Sequence, residues 1–308
     1  MLRRRALALL TVLVASTFLL AGCLPGAGRT WNGPSPARVV PFKGLGAWWD
    51  VWDWSPTFTN GSAPFGVSSV DRLAAAGVQT LYIQTATFRH PATVLDESLL
   101  RRIIVRAHSK GMKVVGWYLP QFLDKQVDIS RISAMVGLGV DGIGIDIEST
   151  DNPDISDRTA KLLDEVRFLR LLHPDVPMAA IPVTPTIWDV LNRSWWPRFP
   201  YVELAKYFDA WMPMAYWSYR RGGSFPEWGD PYIYTIDAVN RLRVLTGRYD
   251  LPVHPIGGEG TAMTVADAQA MARAVSDTAS IGGSIYDDRT TPASLYPALG
   301  LMRRAQVK

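Results

Sequence analysis

Residues 141–150 read DGIGIDIEST, an apolar run of alternating isoleucines that closes on an aspartate and a glutamate two positions apart. Strand periodicity puts Ile143, Ile145 and Ile147 on one face and Gly144, Asp146 and Glu148 on the other. The β-branched face suits a strand packed beneath helices, whereas buried charge is costly. Acids at the end of such a strand make sense if that end opens onto a partly hydrated cavity.

The pattern recurs along the chain. Further apolar runs lie at 44–51 (GLGAWWDV), 78–86 (VQTLYIQTA), 113–120 (KVVGWYLP), 177–185 (PMAAIPVTP), 210–217 (AWMPMAYW), 252–260 (PVHPIGGEG) and 283–288 (GSIYDD). Between them stand amphipathic segments such as DESLLRRIIVRAHSKG and DRTAKLLDEVRFLRLLH, several opened by Ser, Thr or Asp in capping positions. Eight strands, each followed by a helical pattern, predict an α/β fold: a single (β/α)8 TIM barrel over residues 42–308. An open doubly wound sheet is the rival, but no glycine-rich phosphate fingerprint follows the first strand. In a barrel the chemistry belongs at the C-terminal strand ends, where Asp146 and Glu148 fall.

Residues 1–23, MLRRRALALLTVLVASTFLLAGC, place three arginines before an apolar stretch, the order of a bacterial secretory signal. The closing Leu20-Ala21-Gly22-Cys23 resembles the lipobox of bacterial lipoproteins, which implies that Cys23 is lipidated and becomes the first mature residue. An uncleaved membrane anchor is the alternative. Either way the expected location is extracytoplasmic, membrane-anchored, on the cell surface or periplasmic face. Residues 24–41, rich in Pro, Gly and small polar residues, are predicted to form a tether. Cys23 is the sole cysteine, so the mature chain has no disulfide framework and no cysteine metal site.

The formal charge of +4 counts Arg3, Arg4 and Arg5. Without the signal it is about +1, too little for the electrostatic footprint of a nucleic-acid binder. His90, His108, His173 and His254 show no ligand spacing, and neither H-E-x-x-H nor G-x-S-x-G occurs. No metal and no cofactor is therefore expected.

Two acids held as close as Asp146 and Glu148 cannot both ionise freely, and a raised carboxyl pKa is the condition a general acid needs near neutral pH. A rim salt bridge to Arg or Lys is the structural alternative. The stretch Asp141-Gly142-Ile143-Gly144-Ile145-Asp146-Ile147-Glu148 resembles the strand-four signature D-G-x-D-x-D-x-E of family-18 glycoside hydrolases, the chitinase-like barrels. The resemblance implies that Glu148 protonates the glycosidic oxygen and that Asp146 orients the substrate acetamide that attacks the anomeric carbon. On strand six, WMPMAYW is similar to the family's M-x-Y-D through Met214 and Tyr216. Gly144 stands where the family has an inner aspartate, Trp217 where it has the aspartate after the tyrosine, and Tyr286 where a tryptophan is usual.

A second arrangement competes. Strand seven ends PIGGEG, and Glu148 with Glu259 looks like the acid/base and nucleophile pair of clan A retaining glycosidases. Carboxyls about 5 Å apart imply direct attack, and about 6.5–9.5 Å leaves room for a water. Glu259 held within its glycine-rich turn is the structural reading. Asp50, Asp53, Asp287 and Asp288 follow the first and last strands, where they bind sugar hydroxyls or cap helices.

Twelve tryptophans are unusual. Indole faces stack on the C–H faces of pyranose rings, and a cleft lined this way suits an oligo- or polysaccharide. Trp49, Trp52, Trp117, Trp217, Tyr216, Tyr286, Asp50 and Asp287 are the predicted substrate contacts, and Glu148, Asp146 and Glu259 the predicted catalytic groups. Packing in the core is the competing reading for each tryptophan. The functional expectation is a glycosidase acting on extracellular or cell-wall polysaccharide. Its alternatives are a barrel that binds sugar without cutting it and a lipid-anchored envelope protein that binds a protein partner.

Overall fold

The computed structural model describes residues 33–306, so the signal, Cys23 and the first part of the tether lie outside the described residues. All eight apolar runs become parallel strand: β1 (Gly44–Trp49), β2 (Thr80–Gln84), β3 (Lys113–Tyr118), β4 (Gly142–Ile147), β5 (Met178–Pro182), β6 (Ala210–Trp211), β7 (Met214–Ala215), β8 (Ile256–Gly257) and β9 (Gly282–Ile285). Their order in the sheet is β6-β5-β4-β3-β2-β1-β9-β8-β7.

β6 and β7 are two halves of one stave, parted at Met212-Pro213. The interrupted stave bonds to both neighbours: Met212 N donates to Ala180 O at 2.7 Å, and Ile256 N to Pro213 O at 2.9 Å. Parallel bridges Val183↔Met214 and Trp211↔Val253 complete the closure. Pro213, Pro252 and Pro255 have no N–H to give a ladder, which keeps these staves short. The result is the eight-stave barrel predicted from the sequence.

Nearly every strand position is buried, as expected for parallel strands covered on both faces. Helices Glu97–Ser109, Lys125–Val136, Ile155–Leu172, Pro231–Thr246 and Val265–Asp277 form the outer ring. Asp124, Asp154, Asp230 and Thr264 cap four of them by accepting from backbone N–H groups of the first turn. The crossover after β5 departs from the repeat, with only short helical turns at Ile187–Leu191 and Tyr201–Leu204. Pro197 and Pro200 forbid a continuous helix there. No helix among the described residues is long and apolar enough to cross a membrane.

Inside the barrel Trp48 stacks on Tyr82, with ring centroids 4.4 Å apart. Its indole N–H donates to Ser284 Oγ at 2.8 Å, and His254 bridges Ser284 to the carbonyl of Phe42. Burial pushes the His254 imidazole down to about 4, so it is neutral near physiological pH.

The N-terminal end of the barrel is closed by the 3-10 helix Pro36–Phe42, which buries Val39, Pro41 and Phe42. Residues 36–41, assigned from composition to the tether, thus belong to the folded domain. Proline at the first helical position and an apolar face account for their order. Asp209, fully buried, ties this helix down by accepting from Arg38 Nε at 3.1 Å, Arg170 Nη2 at 2.9 Å and Met178 N at 3.0 Å.

Candidate active site

The opposite end of the barrel holds the acids. Asp146, the fifth residue of β4, and Glu148, just beyond its end, line a cavity of about 250 Å³ with Asp50, Trp52, Trp117, Met214, Tyr216 and Tyr286. Strand alternation delivers them there, while Ile143, Ile145 and Ile147 are buried in the apolar core. Neither acid forms an ion pair among the described residues. The salt-bridge reading holds instead for Asp141 at the start of the run, which lies 2.9 Å from Lys113 Nζ and 2.8 Å from His108 Nε2.

Asp146 is 7% exposed, and its Oδ1 is buried with no hydrogen-bond partner. Burial, followed by the charge of Glu148, raises its carboxyl pKa well above the usual range. Burial also raises Glu148. The two titrate as a pair that retains a proton at pH values where ordinary carboxyls have lost theirs. Tyr216 faces the same acids, and burial and then their charge raise its phenol, so it stays a neutral hydrogen-bond donor.

The first and last staves supply the other wall. Tyr286 OH donates to Asp50 Oδ2 at 3.2 Å, and its ring lies 6.1 Å from that of Tyr216. Asp50 caps the short helix Val51–Trp54, accepting from Trp52 N at 2.7 Å, and Asp53 accepts from Asp50 N at 3.0 Å. Behind them Asp50, Asp53 and Asp287 bring carboxylate oxygens within 4.8 Å of one another, the group among the described residues with the spacing to hold a metal ion. Burial and then the charges of Asp50 and Asp287 push Asp53 up to about 8. Asp53 is therefore the carboxyl of this cluster that retains a proton near neutral pH. Asp288 is structural: it accepts from the Trp49 indole at 2.8 Å and from Tyr296 OH at 2.6 Å, and it pairs with Arg72.

Of the predicted contacts, the structure brings Asp146, Glu148, Tyr216, Trp52, Trp117, Asp50 and Tyr286 together around one cavity. Four fall outside its lining. Trp49 is buried against Phe65, with centroids 5.2 Å apart, and Trp217 is buried against Gly257. Trp48 and Trp49 are neighbours on β1 and point to opposite faces, so only Trp48 faces inward; Trp217 lies past the end of β7, where it opens a 3-10 turn that packs its ring away from the cavity. Asp287 sits behind Asp50 and bonds to Thr290 N at 2.8 Å. Glu259 accepts from Thr261 Oγ1 at 2.6 Å on the exposed side of its turn, which is the structural reading of that residue. Most tryptophans are packing: Trp48, Trp49, Trp54, Trp188, Trp196, Trp211 and Trp217 are among the largest fully buried side chains.

Sequence reasoning missed Gln84, Thr87, Phe88 and Arg89, which reach the cavity from the end of β2 and its loop. The strand-end rule that singled out Asp146 applies equally to Gln84, and only the preference for acids and tryptophans hid it. A larger hollow of about 600 Å³ along Pro231–Thr246 has no such chemistry, since its Asp237 is paired with Arg241.

The architecture defines a (β/α)8 barrel with one buried and one half-buried acid, Asp146 and Glu148, at its open end. No family model and no curated protein matches the chain. Solved structures do. The C-terminal domain of a protein named as a chitinase from Desulfitobacterium hafniense DCB-2 shares the fold with a TM-score of 0.62 at 12% identity, covering 86% of this chain and 99% of that one. The spore cortex-lytic enzyme SleL of Bacillus cereus gives 0.58 at 10% identity, over 84% of this chain and 74% of that one. An endo-1,4-beta-mannanase from Eisenia fetida gives 0.55 at 12% identity, over 85% and 90%. The chain thus has the TIM-barrel fold found in glycoside hydrolases of several kinds, and at such identities the likeness is one of fold.

Proposed function

We propose that the protein is a glycosidase that cleaves extracellular or cell-wall polysaccharide, with Glu148 as general acid. The observation that carries this reading is the pair of buried Asp146 and half-buried Glu148, without a basic partner among the described residues, at the floor of an aromatic-lined cavity. A proton retained on this pair is available to a departing glycosidic oxygen, and the charge left behind stabilises the oxocarbenium-like centre that forms. Trp52, exposed at the cavity, offers ring surface to pyranose C–H groups, and Tyr216 a hydroxyl to the sugar. Glu259, with its carboxylate turned to Thr261, has no part in this proposal. The strand-four resemblance implies attack by the substrate's own acetamide oxygen, oriented by Asp146, and with it a preference for 2-acetamido sugars.

Glu148→Gln tests it. The variant should fold and bind glycan but release no reducing ends from peptidoglycan or chitin-type oligosaccharides. Undiminished turnover would remove Glu148 from the reaction. A barrel that binds sugar without cutting it is favoured by Gly144, which leaves Asp146 without an acid on the inner side of its strand face. Binding by the unaltered protein with no product from any glycan would establish that reading.

We also propose that the domain works outside the cytoplasm, held by a lipid on Cys23. Metabolic labelling with palmitate, lost in Cys23→Ala, tests this.

A further inference from the structure

Among the residues lining the cavity of Asp146 and Glu148, a single side chain is basic: Arg89, from the loop after β2. Its guanidinium carbon lies 5.5 Å from the centroid of the Trp52 ring and 5.4 Å from that of Phe88. The loop is pinned beneath it by Arg89 N, which donates to Thr87 Oγ1 at 3.3 Å. No carboxylate pairs with this guanidinium among the described residues, and neither Asp146 nor Glu148 is lowered by a nearby cation. A guanidinium resting on ring faces keeps its N–H edge free. The structure therefore holds an open, planar donor fork at the rim, beside the exposed Trp52 and above a floor of acids.

The chemistry of the two levels differs. The acids of the floor repel any second anion brought next to them once they ionise. An anionic substituent on a bound sugar is tolerated only at the rim, where Arg89 meets it. A carboxylate presents two oxygens in the spacing that matches the guanidinium fork.

We propose that Arg89 is a specificity residue for a carboxylate-bearing sugar, which it holds over the Trp52 face next to the bond presented to Glu148. The substrate class is then an acidic glycan, whose carboxylate is either the lactyl ether of a muramic residue or C6 of a hexuronic acid. The proposal rests on the glycosidase reading for the position of the bond, but Arg89 recognition is measurable by binding alone.

The experiment compares matched oligosaccharides with the carboxylate free or converted to the amide, in one muramic and one hexuronic series. Affinity is measured with the Glu148→Gln protein and turnover with the unaltered one. The free acid should bind about tenfold better than its amide at low salt, as for a charge-assisted contact, with the ratio shrinking as salt rises. Arg89→Gln should bring the ratio close to one, and Arg89→Lys should retain part of it. Thermal melting verifies that both variants fold. Preference confined to one series identifies the source of the carboxylate.

Equal affinity for acid and amide, a ratio unchanged in Arg89→Gln, or no binding in either series would overturn the proposal. Arg89-dependent preference without bond cleavage would sink the glycosidase reading and leave Arg89 standing. Cleavage without preference would do the reverse.

Discussion

The Cδ1 of Ile181 stands 2.7 Å from the point a Cβ on Gly144 would occupy, with Trp117 Cβ at 3.3 Å. The position that holds the inner aspartate in the family-18 pattern is thus filled by hydrocarbon from β5 and β3, so the acid nearest Asp146 along its strand face is Glu148. Gly144→Ala should cost about 1–3 kcal/mol in urea unfolding, the usual cost of overpacking. In an Ile181→Ala background the added methyl has room, so the two changes should couple by more than about 0.5 kcal/mol. Strictly additive costs would show that Ile181 does not limit the site.

The raised pKa of the acid pair predicts an alkaline limb in the rate. A general acid works in its protonated form, so kcat/KM should fall as pH rises through the apparent pKa of Asp146 and Glu148, which lies above the ordinary carboxyl range. A pH profile from pH 4 to 9 checks this. A limb placed at an ordinary carboxyl pKa would mean that burial does not tune the pair.

What the sequence made legible follows from what determines each feature locally. Apolar runs in DGIGIDIEST and its seven counterparts are buried on both faces, so they stand out without knowledge of their partners. Strand parity gives no guide past short staves broken by proline: Tyr216 and Trp217, both predicted contacts, lie beyond the end of β7, and only Tyr216 lines the cavity. Glu259 lies past the end of β8, in a turn where alternation no longer applies. Arg89 and Phe88 belong to a loop whose position is set by β2 and its neighbours, with no periodicity to announce it. The docking of Pro36–Phe42 was hidden because a proline-rich composition resembles a tether until Asp209 is seen beneath it.

Asp53 should make stability depend on pH. Its folded carboxyl titrates at about 8 against an unfolded value of about 4, so protons bind the folded form more tightly. The stability linked to this group is fully present below about pH 4 and is lost as pH rises to about 8. Asp53→Asn mimics the protonated acid and still accepts from Asp50 N. Its advantage over the unaltered protein should grow across that window by at most about 1.4 kcal/mol per pH unit. Parallel stability curves for the two proteins would refute the assignment.

Trp49 and Trp52 should part company under mutation. Trp49 is fully buried and bonded to Asp288, so Trp49→Ala should cost about 3–5 kcal/mol. Trp52 is 39% exposed over the cavity, and Trp52→Ala should change stability by less than about 1 kcal/mol while weakening glycan binding. Denaturant melts beside glycan titrations separate the two effects. A stable Trp49→Ala protein with impaired binding would return that residue to the site.

The packed N-terminal segment predicts where a soluble form must begin. One starting at Pro34 keeps the Pro36–Phe42 helix, whereas one starting at Pro41 loses the buried Val39 and the contact of Arg38 with Asp209. The shorter form should be less stable by about 2–4 kcal/mol, from lost apolar burial and a lost charge-assisted hydrogen bond. Asp209→Asn in the longer form should cost about 3–5 kcal/mol, because it breaks the buried ion pair of Asp209 with Arg170, whose side chain is 1% exposed. Equal denaturation midpoints for the two lengths, with Asp209→Asn still destabilising, would mean that Asp209 serves β5 and Arg170 alone and that the helix merely rests on the barrel.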